Sequence, residues 1–279
     1  MNANAVKRKL ASVFDATGIN GAAFAVQKGL LSPFVRVVNY HDIQAQHIGN
    51  FEAHLGFYSE RFVNVNEATL RALLKDGQWP HDKPGIIISF DDGMRSHFEV
   101  AAPLLEKYGF TGWFFVPAGW IAERIASNEE AADRVGDQKT LTTEQVRQLD
   151  SHHVVGCHTE THCRLTKDLP EERIRFETLG AKRSLEDLLG RTVDIFCWVG
   201  GEENTYSKTA SDLIRQAYSL GFMTNTAVVR RGTDPMQIQR TNIEAENPLS
   251  LVRFQLAGFL DLIYLPKRRR VNRLTADRG

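Results

Sequence analysis

The stretch Ile86-Ile87-Ile88-Ser89-Phe90-Asp91-Asp92-Gly93 runs from apolar residues into two adjacent carboxylates and a glycine. A run of β-branched residues before a turn signal is typical of a buried strand. Two neighbouring carboxylates repel each other and lose hydration when buried, so such a strand end is costly. A divalent cation is the group that compensates this cost best. We therefore interpret this stretch as the strand that carries the active site.

Strands and helices alternate along the chain on both sides of this stretch. The predicted strands lie at 34–41, 86–92, 112–117, 153–159, 194–199, 222–227 and 237–243. The predicted helices between and after them lie at 66–75, 98–108, 142–149, 171–189, 207–220 and 249–265. This alternation predicts an α/β fold with a parallel sheet and crossover helices outside it. In such folds the functional site forms at the carboxyl ends of the strands.

The chain is predicted to have three parts. Residues 1–33 form a helical N-terminal segment with helices at 5–14 and 22–31, 34–265 form the catalytic domain, and 266–279 form a basic tail. The polar residues 129–139 are predicted to be a loop or a short exposed helix. The tail is expected to be solvated. Because it follows an amphipathic helix, contact with an anionic membrane surface is the alternative.

Composition excludes several classes of protein. The 279 residues include 34 basic and 34 acidic side chains, so the formal net charge is zero and nothing favours a nucleic-acid partner. The 42% of hydrophobic residues is enough for a large core. Three cysteines are too few for a disulfide framework and suit a reducing compartment. With no secretory pattern in 1–33 and no apolar run of membrane-spanning length, the expected location is the cytoplasm.

A second group of polar residues follows the predicted strand at 153–159. His158 and His162 would lie about 13 Å apart in an extended strand but about 5–6 Å apart in a helical turn, so sharing one ion requires the chain to coil after His158. Two histidines and one carboxylate form a catalytic metal site with open positions. Either Asp91 or Asp92 can supply the oxygen ligand. The other carboxylate is then free to take a proton from water, which is the division of roles that hydrolysis requires.

The same residues also allow other interpretations. Histidine pairs are usually surface residues or satisfied core residues, but two motifs at strand ends of one α/β pattern favour a metal site. Cys157 and Cys163 flank the histidines, which raises a Cys/His zinc site as an alternative. Adjacent ligands such as His162 and Cys163 rarely converge on one ion, so we expect the cysteines to be small core residues.

These motifs resemble those of one family. Residues 89–93 (SFDDG) resemble a TFDDG motif, and 158–162 (HTETH) resemble an H-(S/T)-x-x-H motif. Both are typical of the NodB-homology polysaccharide deacetylases, carbohydrate esterase family four. Residues 104–116 also follow the family pattern, and 39–41 (NYH) resemble the opening of the subgroup that acts in exopolysaccharide synthesis. The resemblance covers residues 34–243.

The resemblance implies a fold, a cofactor and residue roles. The fold is a distorted (β/α)7 barrel, and the cofactor is a divalent metal ion such as zinc. The reaction is the hydrolytic removal of an acyl group, usually acetyl, from an N-acylated amino sugar. Asp91 matches the general base, and Asp92, His158 and His162 match the metal ligands.

The third family motif is altered here. Residues 196–201 (FCWVGG) occupy its place and lack the usual proline and tyrosine. Trp198 stands where a substrate-facing aromatic is common, and Gly200 stands where a backbone N–H would hold an oxyanion. The oxyanion donor survives a change of side chain, whereas the substrate-facing surface must differ.

The family's last motif normally supplies a histidine as general acid, but all nine histidines of this chain lie at or before His162. Either Asp91 moves the proton in both directions or another group donates it. His41 is the best candidate because its strand should neighbour that of Asp91; orienting the site or binding metal are its other possible roles. Arg240 could orient a carboxylate from the seventh strand or lie at the surface.

The sequence therefore predicts a metal-dependent hydrolase that deacylates an N-acyl amino sugar in a glycan or a lipid-linked glycan. A catalytically inactive glycan-binding module is one alternative, motivated by the missing acid histidine. The same chemistry on another amide, such as a formamido sugar or a non-sugar amide, is the other.

Overall fold

A computed structural model describes residues 3–126 and 139–277, so most of the polar stretch predicted at 129–139 lies outside the described residues. The strands are β1 Val35–Tyr40, β2 Val63–Asn64, β3 Gly85–Phe90, β4 Gly112–Val116, β5 Val154–Cys157, β6 Ile195–Cys197, β7 Leu220–Met223, β8 Val228–Val229, β9 Ile238–Gln239 and β10 Thr241–Asn242.

The helices before β5 are α1 Ala3–Ala16, α2 Ile19–Leu31, α3 Ile48–Arg61, α4 Glu67–Asp76, α5 Ala102–Lys107, α6 Ala122–Ile125 and α7 Thr143–His152. Those after β5 are α8 Glu171–Arg175, α9 Ala181–Leu189, α10 Lys208–Ala217, α11 Leu249–Leu256, α12 Phe259–Ile263 and α13 Leu265–Thr275. A π-helical turn at His97–Ala101 precedes α5, and another at Phe176–Gly180 joins α8 to α9.

The strands form one nearly closed, barrel-like sheet in the order β10-β1-β3-β4-β5-β6-β7-β9, with β2 beside β3 and β8 beside β1. Along that path the neighbouring strands are parallel, as the alternation of strands and helices predicts, and the short β8 pairs antiparallel to β1. The two end strands β9 and β10 are separated in the chain by Arg240 alone. This one residue therefore joins the two edges of the sheet.

Two hydrophobic layers follow from the two faces of the strands, since successive side chains in a strand point to opposite faces. In β1 and β3, Val35, Val37 and Ile87 belong to the cluster inside the barrel. Val38 and Ile88 belong to the larger cluster between the sheet and the helices. Leu70 and Leu73 of α4 join the inner cluster near the amino ends of the strands. Apolar side chains thus fill one end of the barrel, and the carboxyl ends of the strands are left for polar residues.

Helix α3 is an element that the sequence analysis did not assign. Its buried residues Phe51, His54, Leu55 and Tyr58 follow the spacing of one helical face. The signal was therefore present in the sequence. The helix covers the outer face of β1 and β3, where Phe51 contacts the rings of Tyr40 and Phe90.

Two predicted helices are shorter than expected, and in each case the role of a glycine was predicted wrongly. The helix predicted at 207–220 ends at Ala217, and Gly221 lies inside β7, where a Cβ would come within 2.7 Å of the Met236 carbonyl oxygen. The helix predicted at 249–265 is divided before α12 at Gly258, whose φ of 98° favours glycine. A Cβ there would also come within 2.4 Å of the Gln27 side chain.

The segment predicted as a solvated basic tail is a helix that packs on the domain, which corrects the boundary expected at residue 266. Val271 and Thr275 of α13 are buried. Ser211 and Arg215 of α10 both donate to the carbonyl oxygen of Thr275, at 3.0 and 2.9 Å. The amphipathic face of α13 therefore closes the outer layer of the barrel beside α10.

Candidate active site

One face of the strands carries the polar residues of the site. In β3 the inward side chains run Ile87, Ser89 and then Asp91 just past its end, and the same alternation in β1 leads from Val37 to Asn39. These inward-pointing side chains lead to a cavity of about 350 Å³ at the carboxyl ends of the strands. Its lining includes His41, Asp91, Asp92, His158, His162 and Arg240. The strand-end rule used on the sequence thus brings these six predicted residues together.

Asp91 is held by a buried two-point contact with Arg240. Its Oδ1 and Oδ2 accept from the two terminal nitrogens of Arg240 at 2.6 and 2.8 Å. The guanidinium also donates to the hydroxyl oxygens of Ser89 and Thr224, and its carbon lies 5.4 Å from the centroid of the Phe115 ring. Arg240 is thus fully buried, and the surface role considered for it was wrong.

The charge of Arg240 decides the protonation of Asp91. Burial raises the pKa of Asp91, but the Arg240 charge and the two hydrogen bonds, together with His158, outweigh burial and leave that pKa below its ordinary value. Asp91 is therefore ionised at neutral pH and fixed in one orientation, as a general base must be.

Asp92, His158 and His162 converge on one point beside Asp91, with their ligand atoms all within 4.8 Å of one another. The Nε2 atoms of His158 and His162 lie 3.5 and 2.9 Å from Asp92 Oδ1. Asp92 and His162 have φ angles of 75° and 56°, in the left-handed region that non-glycine residues seldom adopt. Such backbone strain clusters at functional sites. The chain does coil directly after the strand, as a shared ion requires.

The donor set fits a divalent metal ion. Asp92 Oδ1 is buried and has no hydrogen-bond partner among the described residues, although two imidazole nitrogens lie close to it. His158 Nδ1 lies 3.0 Å from the Cys197 carbonyl oxygen, so its N–H donates there and Nε2 is free as a ligand. Burial alone lowers the pKa of His158, yet Cys197 and the nearby carboxylates raise it well above its usual value. These surroundings favour positive charge at the point where the three ligand atoms meet.

A second group of possible ligands, Asp91, His158 and Cys197, fits a metal less well. Both oxygens of Asp91 are used by Arg240. Burial raises the pKa of the Cys197 thiol, which keeps it protonated. Among the described residues, neither Cys157 nor Cys163 belongs to a group of convergent ligand atoms. Cys157 is a buried core residue as expected, whereas Cys163 is only half-buried, so the expectation was wrong for Cys163.

The loop that carries the two histidines rests on a buried carboxylate, Glu177, in the π-helical turn between α8 and α9. Glu177 Oε2 accepts from the backbone N–H groups of Glu160 and Thr161 at 3.1 and 2.9 Å, and Oε1 accepts from the Thr161 hydroxyl at 2.7 Å. Arg173 pairs with the same carboxylate at 2.7 Å. Glu177 thereby fixes the backbone between His158 and His162. Nothing in its helical context singled it out in the sequence.

His41 faces the cavity from the end of β1 and has its own acidic partner. Its Nδ1–H donates to Glu244 Oε1 at 2.9 Å, and its carbonyl oxygen accepts from His97 Nε2 at 2.9 Å. Burial lowers the pKa of His41, but Glu244, Asp91 and Asp92 outweigh burial and raise that pKa to about 9. His41 is therefore protonated at neutral pH. In the described residues it is not part of a metal-ligand group.

The predicted substrate contact of Trp198 is corrected by the structure. Cys197, the last residue of β6, and Val199 lie on the inner face, so Trp198 points outward and packs against Phe196 and Tyr206 in the outer layer. It does not line the cavity. Gly200 does line it, with a φ of 84°, and a Cβ there would come within 3.0 Å of Thr205 Cγ2. The backbone at Gly200 is thus kept open toward the cavity.

Several residues of the site were missed by sequence reasoning. Glu244, the partner of His41, follows the predicted strand at 237–243 directly, so the strand-end rule could have found it. Arg164, Tyr264 and Lys267 line the cavity, but they come from a loop and from the chain around the start of α13. The sequence around these residues does not indicate that they line the cavity.

Comparison with known proteins identifies the family. The model of the family described as "Polysaccharide deacetylase" matches residues 78–219, which is half of the chain. The chain belongs to the polysaccharide deacetylase family. This confirms the resemblance read from the two motifs and makes the protein a hydrolase of the deacetylase type. The matched range contains Asp91, Asp92, His158 and His162, whereas His41 and Arg240 lie outside it.

A curated relative and several solved structures agree with this family. The Bacillus subtilis (strain 168) protein named "Putative polysaccharide deacetylase YxkH" is 22% identical over 219 residues, which cover 74% of this chain and 70% of the relative. The Streptococcus pyogenes deacetylase PplD, in complex with acetate, has a TM-score of 0.64 at 19% identity and covers 80% of this chain and 98% of its own. IcaB from Ammonifex degensii has a TM-score of 0.61 at 20% identity, with coverages of 82% and 97%. At these identities the structures show a shared fold, which confirms the predicted distorted barrel of the NodB type.

The described residues hold no helix that combines the length and the apolar character needed to cross a bilayer.

Proposed function

We propose that this protein is a divalent-metal-dependent deacylase that removes an N-acyl group, acetyl in the simplest case, from an amino sugar of a glycan or lipid-linked glycan precursor. The observation that carries the proposal is the position of three elements in one cavity. These are the convergent ligand atoms of Asp92, His158 and His162, the ionised Asp91, and the protonated His41. A hydrolase of amides needs a base for water and an acid for the departing amine.

Asp92, His158 and His162 would hold the metal ion, zinc or a similar divalent cation. Bound there, the ion would supply Lewis acidity toward the amide carbonyl and would lower the pKa of water. Asp91 takes the proton from the attacking water, because Arg240 keeps its carboxylate ionised and oriented. Arg240 is a positioning residue, since it acts through Asp91.

The other half of the reaction needs an oxyanion donor and an acid. Gly200 lines the cavity, and its backbone N–H would stabilise the charge that develops on the carbonyl oxygen. His41 protonates the amine as the C–N bond breaks, and Glu244 keeps the imidazolium oriented toward the cavity. The acid side of the site is thus assigned to His41 in place of a C-terminal histidine.

The test is acetate release from N-acetylglucosamine oligomers, with and without a chelator. Release that stops with the chelator and returns on adding zinc supports the proposal. An inactive glycan-binding module remains the alternative, and binding of these oligomers without release from any of a broad set of N-acylated sugars would favour it. Release of formate or another acyl group alone would keep the chemistry and change the substrate.

We also infer that the protein contacts an anionic membrane surface at the inner face of the cell membrane. Leu262 and Ile263 of α12 expose 74% and 66% of their surface, and the next residue, Tyr264, lines the cavity. Arg269 and Arg273 on α13 are exposed and complement anionic headgroups. The three free cysteines suit the reducing cytoplasm. A lipid-linked substrate would then meet the cavity at the bilayer surface.

A further inference from the structure

The cations that line the cavity differ in whether they have a carboxylate partner. Arg240 is paired with Asp91, and His41 is paired with Glu244. Arg164 lies 4.0 Å from Glu202, at the limit of an ion pair. Lys267 has no carboxylate oxygen within 4.0 Å in the part of the chain that the structure describes. Of its two acidic neighbours, Glu202 lies near Arg164 and Glu203 is bound by two nitrogens of Arg270.

Lys267 is nevertheless not a freely solvated side chain. It lies in the first turn of α13 and is half-buried, and its ammonium is 5.7 Å from the centroid of the Tyr264 ring. Burial lowers the pKa of Lys267, and the charges of Glu202 and Glu203 offset this effect only in part. An unpaired, half-buried ammonium at the mouth of a catalytic cavity is a binding group for an anion.

The other charged residues around the cavity also favour an anion-binding role for Lys267. Asp91 and Arg240 cancel each other, as do Glu244 and the protonated His41. Glu202, a further carboxylate of the lining, faces two cations, Arg164 at 4.0 Å and the more distant Lys267. The carboxylate of Asp92 is directed at the two histidines and not at Lys267. A neutral N-acetylated sugar offers no partner for the lysine, so the charge would serve no purpose for such a substrate.

We propose that the amino sugar deacylated here carries an anionic group, a phosphate or a carboxylate, which Lys267 binds at the rim of the cavity with Arg164 as a second donor. This inference rests on the proposed function and specifies its substrate class. Arg164 can turn to the same anion because its contact with Glu202 is long and both side chains are largely exposed. Charge-assisted hydrogen bonds of this kind are among the stronger polar contacts.

The test compares equilibrium binding of N-acetylglucosamine 1-phosphate, N-acetylmuramic acid and neutral N-acetylglucosamine to the zinc-loaded protein. We expect one or both anionic sugars to bind roughly tenfold or more tightly than the neutral sugar, with an advantage that shrinks as salt rises. Lys267→Gln should remove most of that advantage. Lys167→Gln is the matched control, because Lys167 is exposed in the loop after Arg164 and does not line the cavity.

The two anionic sugars separate the possible sources of the charge. Tighter binding of the phosphate sugar alone assigns a phosphoryl group, and tighter binding of the muramic acid alone assigns a carboxylate. Equal affinity for all three sugars overturns the proposal. So does an anion advantage that persists in Lys267→Gln and is lost with a chelator, because the anion would then bind the metal.

Acetate release, measured on the same sugars, keeps the two proposals apart. Binding that depends on Lys267 without any release contradicts the proposed deacylase and leaves the anion site in place. Release at the same kcat/KM from neutral and anionic sugars contradicts the anion site and leaves the deacylase in place.

Discussion

The two acid–base pairs of the cavity are held in opposite ways. Asp91 and Arg240 expose 5% and 1% of their side chains, whereas His41 and Glu244 expose 40% and 34%. A buried pair cannot be broken without leaving an uncompensated charge, while a half-exposed pair can exchange its partner for water. The buried contact of the proposed base, Asp91, is therefore part of the fold, whereas the half-exposed contact of the proposed acid, His41, adjusts its pKa. The predictions below test this difference.

The largest effect is expected at the adjacent carboxylates. Asp91→Asn should lower kcat by roughly 10³–10⁴-fold and leave the metal content unchanged, since the general base is lost and the ligands remain. Asp92→Asn should lower both activity and metal content. Metal analysis of the purified variants beside an acetate assay checks both results. If Asp91→Asn were the variant that loses metal, the roles of the two residues would have to be exchanged.

The buried pair should be the next most sensitive. Arg240→Met leaves the Asp91 charge buried without a partner, and we expect a loss of about 3–5 kcal/mol in the free energy of unfolding, measured with urea. Folding depresses the pKa of Asp91, so its stabilising contribution is present above its unfolded pKa and is lost as pH falls. In Arg240→Met that pKa rises, and the acidic limb of the activity profile should move to higher pH.

A double variant serves as the control for the buried pair. Asp91→Asn combined with Arg240→Met removes both charges and should recover part of the lost stability, because no uncompensated charge remains. A double variant as unstable as Arg240→Met would mean that packing of the guanidinium dominates over charge.

The half-exposed pair should affect rate and pH dependence with little change in stability. His41→Gln should lower kcat by roughly 10²-fold, since general acid catalysis is lost. Glu244→Gln should lower the pKa of His41 from about 9, so the imidazolium is lost at lower pH and the alkaline limb of the profile moves down. An alkaline limb that stays in place in Glu244→Gln would assign the acid to another group.

A smaller effect is expected at Glu177, the buried carboxylate that supports the loop carrying His158 and His162. Glu177→Gln keeps the shape of the side chain but weakens its contacts with the backbone at Glu160 and Thr161. We expect the affinity for zinc to fall by about 10–100-fold, measured by competition with a chromophoric chelator. Glu172→Gln, an exposed neighbour on α8, should leave it unchanged. Equal losses in both variants would assign the effect to net charge.

Much of the fold could be predicted because the strand and helix patterns in this sequence are strong. The motif residues could be predicted because each follows a strand directly. The same rule, applied to side-chain direction, would have corrected Trp198: residues 195, 197 and 199 share the inner face, so 198 must point outward. The prediction for Trp198 was wrong because it followed the family motif and did not consider which face of the strand the side chain occupies.

Other parts of the site depend on contacts that no local pattern reveals. Arg240 could be assigned a carboxylate partner from its strand, but its burial follows from its place in the seam between β9 and β10. Lys267 reaches the cavity only because α13 packs back on α10, and a basic segment at the end of a chain gives no sign of this. Long-range packing therefore decided the residues that sequence reasoning missed.

The smallest effect is expected at the exposed apolar residues of α12, Leu262 and Ile263. Leu262→Ser combined with Ile263→Ser should weaken flotation with vesicles containing phosphatidylglycerol, by up to about tenfold, because apolar area no longer enters the interface. Acetate release from a soluble substrate should be unchanged, since neither side chain lines the cavity. Phe176→Ser is the control, an exposed aromatic on another element. Flotation of the double variant at the wild-type level would mean that the apolar side chains of α12 do not contact the membrane.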